Sequence, residues 1–273
     1  MGFFEFNRAL VRAPSDSVVH GLRAGDELDP SLEEIRKEHA AYVRALEVAG
    51  LVVKTLPALE EFPDSVFVED PALVFANGAI LLRPGAPTRT GEAAAIETDL
   101  RGRFDTVLEL QEGHVDGGDV LVTPEAAFIG LSHRTDTAGA AALVRLLARL
   151  GIRGRIVDTP SGVLHLKSAC SLLDEETVLA TRAIAVSGIF DRFRVLTVPE
   201  GEILSANALR LNDLVLARVE GPCTIELLER RGHNVLPLRT SEISKLDAGL
   251  TCMSLRWRSA TGLSGIHVQE NAG

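Results

Sequence analysis

The apolar and polar positions of this chain alternate between two periods, and the alternation itself repeats. Five stretches show the three-to-four residue spacing of amphipathic helices or a dense Ala/Leu composition. They are SLEEIRKEHAAYVRALEVAG (31–50), GEAAAIETDLRGRF (91–104), TDTAGAAALVRLLARLG (135–151), AIAVSGIFDRF (183–193) and PCTIELLERRG (222–232). Ser31 stands three residues before Glu34, the spacing of a capping box that satisfies the orphan N–H groups of a helix start. Gly50, Gly151 and Gly232 follow three of the five helices, where a left-handed residue closes the last turn.

Each helix is followed by a short run of strand character: LVVKTLP, DTVLELQ, IRGRIVD, FRVLTVP and HNVLPLR. Four hairpin-like pieces also recur, ALVFANGAILLRP, DVLVTPEAAFIGLS, ACSLLDEETVLAT and ALRLNDLVLARV. In the first of these, Asn77-Gly78 predicts a two-residue turn with positive φ at both positions. A fifth strand, in TCMSLRW near the C-terminus, has no following partner, and the N-terminal FNRALVRAP supplies one. The chain therefore reads as five copies of a strand–strand–helix–strand unit. One unit cannot cover its own apolar faces, whereas five around an axis can. The expectation is a single α/β domain over 1–258 with approximate five-fold symmetry, followed by a tail over 259–273.

Composition narrows the function. With 273 residues and 46% hydrophobic content, the chain can bury a large core. No apolar run reaches the roughly 18 residues a membrane helix needs, and the start carries no signal-peptide pattern, so the expected compartment is the cytoplasm. The net charge of −10 disfavours nucleic acid, whose phosphates need a basic face. Three widely spaced cysteines with no CxxC pair predict neither a zinc site nor a disulfide framework. No residue cluster calls for a metal or an organic cofactor.

Chemistry concentrates at one place in the repeat. The loops entering the five hairpins are PDSVFVEDPALV, EGHVDGGDVLV, SGVLHLKSACSLL, GEILSANALRL and KLDAGLTCMSL. Corresponding positions hold Asp64, Glu69 and Asp70; Asp116 and Asp119; His165; Asn207; and Cys252. In a ring of repeats such positions converge near the axis. A thiolate is the reactive form of Cys252, and a histidine whose ordinary pKa is near working pH suits general acid and base duty for His165. Asp116 is the carboxylate to orient that imidazole. Asp119 reads as turn chemistry within DGGD. Several carboxylates in one pocket require a cationic ligand, and a guanidinium fits them with its planar set of donors. Cys170 reads as core and Cys223 as inert.

These segments also carry a resemblance. LPDSVFVEDPALVF, LRPGAPTR, VDGGDVLVT, FIGLSHRT, LHLKSACS and LTCMS, in this order, are similar to the dimethylarginine dimethylaminohydrolase family of guanidine-modifying enzymes, and the likeness runs nearly the whole chain to Cys252. The resemblance implies the pentein fold, a five-bladed α/β propeller, and hydrolysis of Nω-methylated arginine to citrulline without a cofactor. Cys252 would be the nucleophile, with His165 and Asp116 completing the catalytic set. Asp64, Glu69 and Asp70 would face the positive groups of a small cationic amino acid, and Arg89 with Arg134 would clamp its α-carboxylate. Leu22 would belong to a loop closing over the site, and Leu246 would contact substrate through its backbone. A homodimer is compatible with that fold. The competing readings are an arginine deiminase, which is longer, an amidinotransferase using an amine acceptor, and a non-enzymatic pentein that binds through its ring.

Overall fold

The computed structural model describes residues 2–25 and 29–259. Beyond Ser259, the expected tail lies outside the described residues. The chain opens with β1 (Arg8–Arg12), α1 (Leu32–Val48) and β2 (Val52–Leu56). Two units follow: β3 (Ala72–Phe75), β4 (Gly78–Leu81), α2 (Glu92–Arg101) and β5 (Val107–Glu109), then β6 (Val120–Val122), β7 (Ala127–Leu131), α3 (Thr137–Arg149) and β8 (Gly154–Asp158). Two more consist of β9 (Cys170–Leu172), β10 (Thr177–Ala180), α4 (Arg182–Ala185) and β11 (Arg194–Thr197), then β12 (Leu209–Leu211), β13 (Leu214–Arg218), α5 (Pro222–Arg230) and β14 (Asn234–Leu238). β15 (Leu255–Trp257) comes last.

These strands form five three-stranded sheets of one design. The first two strands of a unit pair antiparallel across a short turn, and the helix then carries the chain to a third strand parallel to the second. In the first sheet the hairpin is assembled from both ends of the chain, β15 pairing with β1 as Arg8↔Trp257, Ala9↔Arg256 and Leu10↔Leu255. The middle strands, with neighbours on both sides, are mostly apolar and buried, and GAIL of β4 and TVLA of β10 are buried at every position. The third strands lie at sheet edges and are largely exposed or half-buried, which is where Pro237 can be accommodated. The first strand of every hairpin, β3, β6, β9, β12 and β15, contributes to the wall of a single cavity of about 330 Å³. The five repeats thus surround a common axis, as the periodicity predicts.

Local signals hold in part. Ser31 accepts the Glu34 N–H at 3.4 Å, and the three predicted capping glycines have φ of 91°, 75° and 84°. The turn chemistry of the first hairpin is different from the expectation. Phe75 pairs with Gly78, so the turn residues are Ala76 and Asn77, and neither Asn77 nor Gly78 has positive φ. Gly78 serves close approach instead: a Cβ there would lie 2.8 Å from the Thr106 carbonyl oxygen. The fourth helix is also shorter than its pattern over 183–193 suggests, ending at Ala185. Ser187 turns back to donate to the Ile184 carbonyl at 2.8 Å, and Gly188 takes φ of 77°, so the chain leaves the helix there.

Candidate active site

The loops that enter the hairpins pack against one another in a fixed order of hydrogen bonds. Around DGGD, the Gly117 N–H donates to the Asp70 carbonyl at 3.1 Å and the Gly118 N–H to Asp70 Oδ1 at 2.9 Å. A Cβ on Gly117 would sit 1.9 Å from the Glu69 carbonyl oxygen, and one on Gly118 would sit 2.9 Å from both Asp70 Oδ1 and His165 Nδ1. The two glycines are there because backbone and imidazole approach them too closely for any side chain.

That approach places His165 Nε2 3.0 Å from Asp116 Oδ2. Asp116 is fully buried, and its Oδ1 accepts the Gly85 N–H at 2.7 Å. Burial disfavours the charged imidazole, but the hydrogen bond to Asp116 and the charges of Asp70 and Asp119 outweigh it and raise His165 to about 9. Asp119, read from the sequence as a turn residue, is buried and works on the same loop. It accepts from Ser132 Oγ at 2.6 Å and Thr135 Oγ1 at 2.7 Å, and from the Leu166 N–H at 2.9 Å, fixing the backbone directly after His165. Burial raises its own pKa above the ordinary aspartate value.

Cys252 lies in a turn between the Gly249 carbonyl, which accepts its N–H at 3.2 Å, and the Gly249 N–H, 3.5 Å from Sγ. The Glu69 N–H donates to the Cys252 carbonyl at 3.2 Å. Asn207, the corresponding residue of the fourth loop, ties this turn to the histidine loop. Its amide nitrogen donates to the Lys167 carbonyl at 2.9 Å and to Thr251 Oγ1 at 3.1 Å, and its oxygen accepts the Thr251 N–H at 3.1 Å. Burial and the nearby charges of Glu69 and Asp70 push the Cys252 thiol up to about 12, against a smaller opposing effect of Lys167. Asp70 therefore acts on both the thiol and the imidazole.

The remaining predicted residues fall into two sets. Asp64, Asp70 and Arg89 are buried together with Glu92, which sequence reasoning did not single out. Arg89 pairs with Asp70 and Glu92 and also donates to the carbonyls of Asp64 at 3.2 Å and Phe67 at 3.0 Å. Four of its five N–H groups are thereby engaged, leaving one on Nη1. Burial is more than offset by these carboxylates, which hold Arg89 well above its ordinary pKa; Asp70, stabilised chiefly by Arg89 against its own burial, falls below the usual range. Burial raises Glu92 to about 7 despite Arg89. Arg134 is different: it is half-buried, its guanidinium has no hydrogen bond or ion pair among the described residues, and its charge acts on Asp64. Asp64 Oδ1 accepts the Leu22 N–H at 2.9 Å, and the Ala24 N–H reaches Asp247 Oδ2 at 2.5 Å, so the segment bearing Leu22 is tied to the site and to the neighbour of Leu246. Leu246 itself is buried.

Glu69 has two cationic partners that sequence reasoning missed. Lys167 Nζ lies 2.7 Å and Arg256 Nη2 3.1 Å from its Oε1, while its Oε2 is buried without a hydrogen-bond partner among the described residues. Glu69, Lys167 and Arg256 belong to the wall of the 330 Å³ cavity, whereas Cys252, His165 and Asp116 do not. The HLK sequence carried a cue for Lys167, since it stands on the loop of His165; nothing in SLRW signals that Arg256 turns inward. Asp70, Asp116 and His165 bring one donor atom each within 4.8 Å, the spacing of a metal cluster, but those atoms already serve Arg89, Gly118 and each other. Elsewhere, Cys170 is buried and donates to the Leu166 carbonyl at 3.2 Å, and Cys223 is exposed. Among the described residues no helix is long and apolar enough to cross a membrane.

A propeller of five repeats with a thiol, an imidazole and several carboxylates at the axial loops defines a class, and comparison with known proteins gives the same one. Residues 56–220 match the family model described as arginine deiminase. Over 254 residues the chain is 35% identical to an N(G),N(G)-dimethylarginine dimethylaminohydrolase of Pseudomonas aeruginosa, spanning 92% of this chain and all of that one. A protein of the same name from Streptomyces coelicolor is 36% identical over 255 residues, covering 92% and 97%. A Pseudomonas aeruginosa enzyme solved as a cysteine-to-serine variant with citrulline superposes with a TM-score of 0.89 at 35% identity, over 93% of this chain and all of that chain. Within the arginine deiminase class, the chain belongs to the dimethylarginine dimethylaminohydrolase family.

Proposed function

We propose that this protein hydrolyses Nω-methylated L-arginine to L-citrulline and methylamine or dimethylamine, through a covalent intermediate on Cys252. Residues 1–258 serve as one catalytic unit in this reading. The observation that carries it is Oε2 of Glu69, which is buried without a hydrogen-bond partner among the described residues, on the residue whose backbone N–H donates to the Cys252 carbonyl. A buried carboxylate oxygen left unpaired is costly, and a substrate N–H that is itself cationic is the donor that relieves the cost best.

The same charges explain how the thiol is activated. Without substrate, burial together with Glu69 and Asp70 keeps Cys252 protonated. A guanidinium bound to those carboxylates cancels their charge and adds its own, which favours the thiolate. The sulfur then attacks the guanidinium carbon, forming a C–S bond and a tetrahedral intermediate. His165, an imidazolium at neutral pH because of Asp116, gives its proton to the methylated nitrogen, and the C–N bond breaks as the amine departs. The resulting S-alkylthiouronium is attacked by water, whose proton His165 now accepts. Collapse breaks the C–S bond, restores the thiolate and releases citrulline. Arg134, whose guanidinium has no partner among the described residues, suits the substrate α-carboxylate, with the remaining Nη1–H of Arg89 as a second donor.

The test is citrulline release from asymmetric dimethylarginine and from arginine in parallel, with wild type and Cys252→Ser. Product from the methylated substrate alone, absent with the variant, supports the proposal. Product chiefly from arginine favours the deiminase reading, which the match to the arginine deiminase model also supports.

A further inference from the structure

Behind the catalytic turn, a single guanidinium gathers four hydrogen bonds. Arg256 Nη1 donates to the Thr251 carbonyl at 3.1 Å, the Ser254 carbonyl at 2.6 Å and Ser254 Oγ at 2.7 Å. Its Nη2 donates to Glu69 Oε1 at 3.1 Å. Ser254 Oγ is in turn 2.6 Å from the hydroxyl of Tyr42, which is buried on α1. We infer that Arg256 is a positioning residue: it fixes the backbone on both sides of Cys252 and locks that turn to Glu69, setting the place of the thiol relative to the carboxylate that receives the guanidinium.

Three features argue for this role over simple packing. The acceptors flank the nucleophile, one carbonyl directly before Cys252 and one two residues after it, so both ends of the turn are held by one rigid fork. The Glu69 side chain accepts from Arg256 and the Glu69 backbone N–H donates to the Cys252 carbonyl, so the carboxylate and the thiol cannot move independently. Finally, the charge of Arg256 is next to Glu69, the residue whose negative charge works against the thiolate. Lys167 shares Oε1 but reaches neither carbonyl of the turn, so it balances charge without fixing geometry. The strand pairing of β15 with β1 brings Arg256 opposite Ala9, a residue too small to compete for the space behind the turn.

The inference rests on the proposed reaction for its kinetic part but not for its chemical part. Arg256→Lys keeps the charge and loses the fork. We expect kcat for citrulline release to fall ten-fold or more, while KM changes less than three-fold. Arg256→Met loses both, and the pH at which iodoacetamide alkylates Cys252 in the substrate-free protein should move to higher values, with Arg256→Lys close to wild type. Tyr42→Phe, which keeps the buried ring and removes only the support for Ser254, should lower kcat in the same direction by a smaller factor, and it remains informative where Arg256→Met does not fold. A purely structural role would lower Tm in all three variants and leave both the alkylation profile and the ratio of kcat to KM unchanged, and that result overturns the inference. Wild type that releases no citrulline sinks the proposed reaction alone, because the alkylation profile still reads the role of Arg256.

Discussion

Asp116 and His165 show how much one contact decides. His165 is raised from an ordinary 6.5 to about 9, and the hydrogen bond to Asp116 is the largest favourable cause. Asp116→Asn removes the anion but not the shape. The alkaline limb of kcat/KM, expected near pH 9 in wild type, should move toward neutral pH, and kcat should fall by about 10²–10⁴, the usual worth of a positioned acid–base group. An unchanged limb would show that another group titrates. The same contact links to stability. A group whose folded pKa is raised contributes fully below its unfolded value and loses that contribution as pH rises through its folded value. Tm of wild type should therefore decline between about pH 6.5 and 9, and the decline should be shallower in Asp116→Asn. At Gly118, alanine would place a methyl 2.9 Å from His165 Nδ1 and Asp70 Oδ1, so Gly118→Ala should abolish turnover while circular dichroism stays that of a folded protein.

At the scale of elements, the site depends on how helices hold loops. Glu38 is buried on α1, yet its partners lie in the segment leading to Leu246. It accepts from Ser241 Oγ at 2.9 Å and from the N–H groups of Glu242 and Ile243 at 3.0 Å each. Glu38→Ala leaves one buried and two half-buried donors without this acceptor, at a cost of about 1–3 kcal/mol, measurable by urea denaturation. Because the same segment runs on to Cys252, kcat/KM should fall as well; a loss of stability with full activity would show that the catalytic turn is held by Arg256 and Asn207 alone. The repeat was legible at this scale because helix and strand periods differ. The extent of α4 was not: AIAVSGIF carries helical spacing, and only Ser187 and Gly188 in place show where it stops.

For the whole molecule, closure is the governing feature. The first sheet draws β1 from one end of the chain and β15 from the other, and the inner strands of all five sheets share one cavity. No blade can leave without exposing its neighbours. Thermal unfolding should accordingly be one transition, with calorimetric and van't Hoff enthalpies in agreement. Two resolved transitions would show that part of the ring melts alone.

The division between sequence and tertiary structure follows from this architecture. Local periodicity determined the elements, their five-fold recurrence and the loops that carry chemistry, because burial of one face imposes a spacing that the chain itself displays. Ordered motifs indicated which of those loops to join, from Asp64 through Cys252. What the sequence could not determine is how each charged side chain is spent. Arg89, Arg134 and Arg256 are the same residue at three places in the chain, the last of them on β15. Yet one is enclosed by carboxylates, one has no partner among the described residues, and one braces the turn of Cys252. Those differences arise from contacts between loops far apart in the chain, where distance and burial set the electrostatic energy and no local pattern records them.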